Sequence, residues 1–404
     1  MGRHQLPPAI RKISVTDRAT GKEVVRYEVR VDAGKRVVVD SGDGAATVET
    51  RRVQTKRRYS TEKAARAALA EIQNGVATGT FVTTSDLTVE QACAQWLNGR
   101  HSIRPTTRAA YEHALAPLRR RHGALPVQRL TKAQLDQLVV DLVGGTFPGQ
   151  HRKWTANSIN PMLNIISAVL SGLVKQGELV RDVAALVDRL KRPRKKLATF
   201  TEDEVRKLLR HAEADRLAHA WHLALSGLRR GELCGLRWSD VDLKAGTLTV
   251  APGHNRVSVN GKVLDSDPKT DRSERTLPLT PALTTALRRA VATQKQERMA
   301  LGPDYGSGEH VVCDAAGRPF HPDTISDYWR ALCNEAGVPR IRLHDARHTC
   351  GTLMHLQGVP IVLISAWLGH ADPAFTMRTY LHEQHDGLKV AAAGLQQVVS
   401  TSCH

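Results

Sequence analysis

Aromatic side chains are scarce in this chain, 4% of 404 residues. Proteins that hold single-stranded nucleic acid stack bases on aromatic platforms, so a supply this thin favours contacts to duplex backbone instead. Cysteine is also sparse: Cys93, Cys234, Cys313, Cys333, Cys350 and Cys403 are scattered, with no Cys-x-x-Cys pair. That spacing argues against both a zinc ribbon and a disulfide framework and leaves reduced thiols. No apolar run approaches the roughly 18 residues of a spanning helix. The start, Met1-Gly2-Arg3-His4-Gln5-Leu6-Pro7, lacks a signal peptide's apolar stretch. A cytoplasmic protein with no membrane partner is expected. Acidic residues are in deficit, 40 against 58 Lys plus Arg, for a net charge of +18 and a pI near 10.0. A chain this basic attracts polyanions, and its length allows two or three domains.

Three stretches follow one another. Residues 1–80 carry 16 Lys plus Arg against 9 Asp plus Glu. β-Branched alternation predicts short strands at Ala9–Val15, Val24–Val31 and Arg51–Tyr59. Ser60 or Thr61 then caps an Ala-rich helix to about Asn74. From residue 86 to 187 the period becomes helical. Thr88, Thr106 or Thr107, Thr131 and Thr155 each precede apolar residues at three and four spacing, which predicts a bundle of four helices. Arg104, Arg108, Arg119, Arg120, Arg121 and Lys132 are candidate phosphate contacts on it, although any one such charge is more often simply solvated. Residues 188–197 form a linker in which Lys191, Arg192, Arg194, Lys195 and Lys196 crowd around Pro193, a pattern suited to crossing a DNA backbone. From residue 198 the pattern is mixed. Thr201-Glu202-Asp203-Glu204 is a capping box. A helix carries Ala220–Leu225, strands are predicted at Thr247–Val250, Arg256–Val259 and Thr276–Leu279, and Asn260-Gly261 is a hairpin turn signal. The fold class expected is multidomain and mainly α with small β-sheets: a three-stranded sheet plus helix, a helical bundle, and an α+β domain.

That last domain holds the reactive groups. Arg229, Lys269, His344, Arg347, His370 and Tyr380 together supply what phosphodiester cleavage requires. Two guanidinium forks match the non-bridging oxygens of a phosphate that gathers charge in the transition state. A lysine and two histidines can move protons, and a phenol can attack phosphorus, so no metal or other cofactor is required. His344 and Arg347 are three apart and share a helix face. An imidazole titrates near working pH, which suits His344 to accepting the phenolic proton. Gly369 halts an apolar helix, Ile361–Leu368, so that His370 emerges where the chain reverses. Asp372 and Pro373 then read as the start of a short helix carrying Tyr380. Alternatives stand beside each assignment. Arg229 or Arg347 could serve a helix-capping ion pair with Glu232 or Asp345, and for Arg230 that structural use is favoured. Lys262 competes with Lys269. His344 and His348, four apart, resemble half a zinc site, but Asp345 stands where a His-Glu-x-x-His helix has Glu and no third ligand is offered.

The boxes Ser226-Gly227-Leu228-Arg229-Arg230-Gly231-Glu232-Leu233, Pro268-Lys269-Thr270, His344-Asp345-Ala346-Arg347-His348, Leu368-Gly369-His370 and Thr379-Tyr380 occur in order over roughly 150 residues. In that order they resemble the tyrosine recombinases, the phage-type integrases in particular. The resemblance implies an arm-type DNA-binding domain (1–80), a core-binding domain (86–187), a basic linker (188–197), a catalytic domain (198–390) and a tail (391–404). It implies Tyr380 as nucleophile, Lys269 as general acid, and Arg229, His344, Arg347 and His370 around the phosphate, with no cofactor. Its partners would be double-stranded DNA attachment sites, a homotetramer on DNA, a host DNA-bending protein and an excisionase-type directionality factor, in the bacterial host cytoplasm on the nucleoid. Two departures stand out: Ala346 replaces a larger aliphatic residue, commonly Leu, and the interval from His370 to Tyr380 is one residue longer than in some members. An apolar stripe from Asp386 through Leu388, Val390, Leu395, Val398 and Val399 suits docking on a neighbour or on its own domain equally well. Three rivals stay open: a type IB topoisomerase, a non-catalytic DNA-binding protein and a metallohydrolase.

Overall fold

The computed structural model describes residues 6–16, 21–40, 47–78, 81–149, 152–192, 198–266, 274–370 and 377. The chain divides into two compact units, Met1–Pro193 and Arg194–His404. Lys191 and Arg192 of the basic run are exposed, and Arg194, Lys195 and Lys196 lie outside the described residues.

The first unit begins with an antiparallel sheet in the order β1 (Ile10–Thr16), β2 (Glu23–Asp40), β3 (Thr47–Tyr59). β2 is longer than the expected Val24–Val31. It pairs with β1 only from Glu23 to Val29, but with β3 as far as Asp40 opposite Thr47, so a two-stranded ribbon outruns the sheet. Helix α1 (Glu62–Ala77) is capped by the Thr61 hydroxyl and lays Ala65, Leu69 and Ile72 on Ile10 and Val29.

The bundle comprises α2 (Val89–Asn98), α3 (Pro105–His122), α4 (Lys132–Gly144) and α5 (Ala156–Lys175). Thr88 and Thr131 make full capping boxes with Gln91 and Gln134. The cap expected at Thr106 or Thr107 is corrected: α3 starts at Pro105, with Arg104 as N-cap, because proline's fixed φ suits a first helical position better than a threonine one residue later. α5 is long and apolar enough to cross a membrane by length and composition, which corrects the expectation that no segment comes near that limit. Asn157, Ser158, Asn160, Asn164, Ser167 and Ser171 interrupt its apolar runs and concealed this. Several of these polar groups have partners beyond the helix: Ser167 and Ser171 both donate to Asp182, and Asn160 exchanges two 2.9 Å hydrogen bonds with the Leu190 main chain. The apolar face, including Ile159, Met162, Leu163 and Ile166, is buried in the bundle core.

In the second unit α6 (Glu202–Ala212) opens with the expected Thr201–Glu204 capping box, followed by α7 (Ala218–Leu225) and α8 (Arg230–Gly235). A sheet in the order β4 (Val241–Asp242), β5 (Thr247–Val250), β8 (Arg275–Pro278) packs on the helices, and a separate hairpin joins β6 (Asn255–Val259) to β7 (Lys262–Ser266). Asn260, at φ 50°, and Gly261 make the hairpin turn their sequence signals. Helices α9 (Pro281–Leu301), α10 (Pro322–Glu335), α11 (Leu343–Leu356) and α12 (Ile361–Leu368) complete the described fold. The core gathers Phe200, Trp221, Leu223, Leu287, Ile325, Trp329 and Ala346. Among the described residues the five cysteines are buried and unbridged.

Candidate active site

The site assembles where the turn before α8, the first turns of α11 and the C-terminal end of α12 meet. Gly227 makes the turn possible. Its φ of +93° disfavours any side chain, and a Cβ there would stand 2.8 Å from Leu368 Cδ2. The turn is sewn to its neighbours by Trp367 Nε1 donating to the Ser226 carbonyl at 2.9 Å and Arg347 Nη1 donating to the Gly227 carbonyl at 2.7 Å.

Arg229 follows as the N-cap of α8. Its main-chain N–H donates to Glu232 Oε2 at 2.8 Å and its Nη1 to Glu232 Oε1 at 2.7 Å. The capping ion pair weighed against a phosphate role for Arg229 is therefore present. Asp345 does not take Arg347; it accepts from Arg342 at 2.6 and 2.9 Å. Arg230 points away, to Asp323 at 2.6 Å and Ser326 at 3.2 Å, the structural use favoured for it.

Helix α12 ends as the sequence suggests. Gly369 is left-handed at φ 60°, its N–H bonds to Ala366 O and the His370 N–H to Ser365 O, which together make a Schellman motif. The next three carbonyls would be orphans at a buried helix end. Each accepts from a different arginine: Trp367 from Arg275 Nε at 2.7 Å, Leu368 from Arg347 Nη2, and Gly369 from Arg229 Nη2 at 2.8 Å. Cations at this end also complement the helix dipole. Arg347 is 2% exposed. Arg275 went unnoticed in the sequence. Its Nη2 and Nη1 reach Glu232 at 3.0 and 3.3 Å, so one buried carboxylate serves Arg229 and Arg275 together. Burial alone would raise the Glu232 pKa, but Arg275 and then Arg229 overcome it and hold the carboxyl down to about 2.

His344 and His348 lie edge to face on α11, ring centroids 5.1 Å apart. Burial, then the charge of Arg347, lowers the His344 pKa. Burial and His344 bring His348 to about 4, and burial, Arg347 and Arg229 bring His370 to about 4. All three imidazoles are thereby shifted toward the neutral form, in which one ring nitrogen can accept a proton and the other donate an N–H. Among the described residues no three His, Cys, Asp or Glu side chains form a metal-binding group. Lys269 and Tyr380 fall outside the described residues, as do Asp372, Pro373 and the stripe from Asp386. Lys262 opens β7 and is exposed. A cavity of about 610 Å³ borders His344, and its lining includes Arg230, Arg330, Arg340 and Arg342, of which Arg230, Arg330 and Arg342 are paired with Asp323, Asp327 and Asp345.

On the bundle, most candidate phosphate contacts have protein partners. Arg119 is bonded to Glu90, Arg121 to Asp141 at 2.5 Å, Lys132 to Asp136 at 2.6 Å, and Arg108 to the Leu97 carbonyl at 3.1 Å. Arg104 and Arg120 are exposed.

Guanidinium groups from three elements converge on one helix end, with the imidazoles of His344, His348 and His370 near them. Residues 198–386 match the phage integrase family. A tyrosine recombinase XerC-like protein of Caldanaerobacter subterraneus subsp. tengcongensis is 26% identical over 343 residues, 80% of this chain and 86% of that one. The ICEBs1 integrase of Bacillus subtilis is 27% identical over 56% of this chain and 61% of its own length. Among solved structures, the Tn1549 transposon integrase in complex with transposon right end DNA superposes with a TM-score of 0.62 at 18% identity, covering 77% of this chain and 99% of that one. Residues 198–386 are a phage-integrase-family domain, and the chain is an enzyme of DNA strand breakage and rejoining of the tyrosine recombinase kind.

Proposed function

We propose that this chain is a site-specific recombinase that integrates and excises mobile-element or phage DNA, with Tyr380 as nucleophile. The phenolic oxygen attacks the scissile phosphorus while its proton passes to His344, directly or through a water. The bond to the 5′ oxygen breaks as Lys269 protonates it, leaving a 3′-phosphotyrosyl ester and a free 5′-hydroxyl. That hydroxyl, on a partner duplex, later attacks the ester and returns the tyrosine. Arg229 and Arg347 hold the non-bridging oxygens, and His370 donates an N–H to them. Protein cations then do the neutralising that a metal does elsewhere. The observation that carries this reading is the convergence of Arg229, Arg347 and His370 on one helix end with His344 beside them.

Residues 1–80 serve as an arm-type DNA-binding domain, 86–187 as the core-binding domain, 188–197 as a linker on the backbone, 198–390 as the catalytic domain and 391–404 as a tail. The partners are double-stranded attachment sites, three further copies of the chain on DNA, a host DNA-bending protein and a directionality factor. The reaction belongs in the bacterial cytoplasm, on the nucleoid.

The test is covalent capture on nicked duplex. The wild-type chain is expected to trap DNA, with mass spectrometry locating the nucleotide on Tyr380; Tyr380→Phe is expected to trap none, and a chelator to leave capture unchanged. An adduct on another residue, or loss of capture in chelator, overturns the reading.

A further inference from the structure

Among the three arginines that cap α12, Arg275 is the one no motif of the sequence marks. Its side chain is 6% exposed and its ion-pair partner Glu232 3%. It opens β8, six residues after Lys269 in the chain. From there it reaches two other elements, the Trp367 carbonyl at the end of α12 and the Glu232 carboxylate on α8. Arg229 reaches the same two elements, through the Gly369 carbonyl and through Glu232 Oε1, the oxygen it shares with Arg275 Nη1.

These contacts close a loop: Arg275 to Glu232, Glu232 to Arg229, Arg229 to Gly369, and back along two residues of main chain to Trp367. Within it, the orientation of the Arg229 guanidinium and the departure of His370 from the helix depend on one another. Without Arg275 the Trp367 carbonyl loses its described donor at a buried helix end, and Glu232 keeps Arg229 as its main counter-ion. Both changes draw Arg229 toward Glu232 and loosen the turn from which His370 projects.

We propose that Arg275 is a positioning residue for DNA cleavage, acting through Glu232 and the end of α12 on Arg229 and His370 and at the root of the segment that carries Lys269. It acts through those groups rather than on the phosphate. The inference rests on the assignment of Arg229 and His370 made above.

The experiment compares Arg275→Met and Arg275→Lys with the wild-type full chain by single-turnover capture on nicked duplex, together with DNA affinity and thermal unfolding. An ångström of misplacement can cost on the order of a hundredfold in rate. Arg275→Met is accordingly expected to cleave about 10- to 100-fold more slowly at saturating DNA, with DNA affinity unchanged. Arg275→Lys, which keeps a charge beside Glu232 but has no fork to span both partners, is expected to recover only part of the loss. If Arg275→Met does not fold, Arg275→Lys decides the matter. Cleavage at the wild-type rate by a folded variant overturns the proposal, as does a loss seen only in affinity. A wild-type chain that forms no adduct, or an adduct that survives Tyr380→Phe, overturns the functional reading instead, so the two failures are distinguishable.

Discussion

Replacing Gly227 with alanine tests whether the site is held together by the main-chain turn before α8. Two costs are legible. A Cβ at φ +93° is disfavoured by about 1–2 kcal/mol, the order of the left-handed penalty for L residues. The same Cβ would stand 2.8 Å from Leu368 Cδ2, and Leu368 is fully buried, so relief means repacking at a further 1–3 kcal/mol or so. The sum, about 2–5 kcal/mol, lowers the melting temperature of a unit this size by on the order of 10 °C. Catalysis is expected to suffer beyond that. The carbonyls of both Gly227 and Leu368 hold Arg347, so pushing them apart turns its guanidinium. Well below the melting transition, the single-turnover cleavage rate of Gly227→Ala is expected to fall roughly a hundredfold. Calorimetry and capture on nicked duplex measure the two effects. A melting point within a degree of wild type, or an unchanged rate in the folded variant, refutes the reasoning.

The Glu232 carboxyl, held to about 2 against an ordinary 4.5, contributes roughly 3 kcal/mol that is fully present above pH 4.5 and fades as the pH falls toward 2. Over that window the wild-type chain is expected to lose stability more steeply than Glu232→Gln; parallel denaturation curves against pH would count against it. On the bundle, exposed Arg120 and paired Arg119 should behave differently toward duplex DNA. Arg120→Ala is expected to flatten the plot of log affinity against log salt by about 0.9, the value of one phosphate contact, and Arg119→Ala to leave it nearly unchanged. Fluorescence anisotropy at several salt concentrations decides, and equal slopes would show that the Glu90 pair does not hold Arg119 back.

Legibility in the sequence followed the range of the interactions. The caps at Thr88, Thr131 and Thr201 were readable because donor and acceptor sit three residues apart, and the Gly369 stop and the Asn260-Gly261 turn because their backbone demands are local. The α3 start was misplaced because Pro105 outranks the threonines behind it. The partners of Arg119 and Arg121 lie 29 and 20 residues away, with no spacing to announce them, so the sequence shows the charges and not their ion pairs. Arg275 is the extreme case: an isolated arginine in a short strand, its partners are 43 and 92 residues distant. The boxes marked Arg229, His344, Arg347 and His370 as candidates, whereas the carboxylate and carbonyls that Arg229 and Arg347 bind came only with the fold.

The three carbonyls at the end of α12 receive donors from residues 140, 92 and 21 positions away along the chain. Contacts of such separation close late, after the local helices and hairpins are formed. A polypeptide lacking α12 therefore has the three arginines but not the carbonyls that arrange them. The arrangement of the three arginines is thus withheld until the chain has been made as far as α12 and has folded, a delay inherent in where its anchoring points lie along the polypeptide.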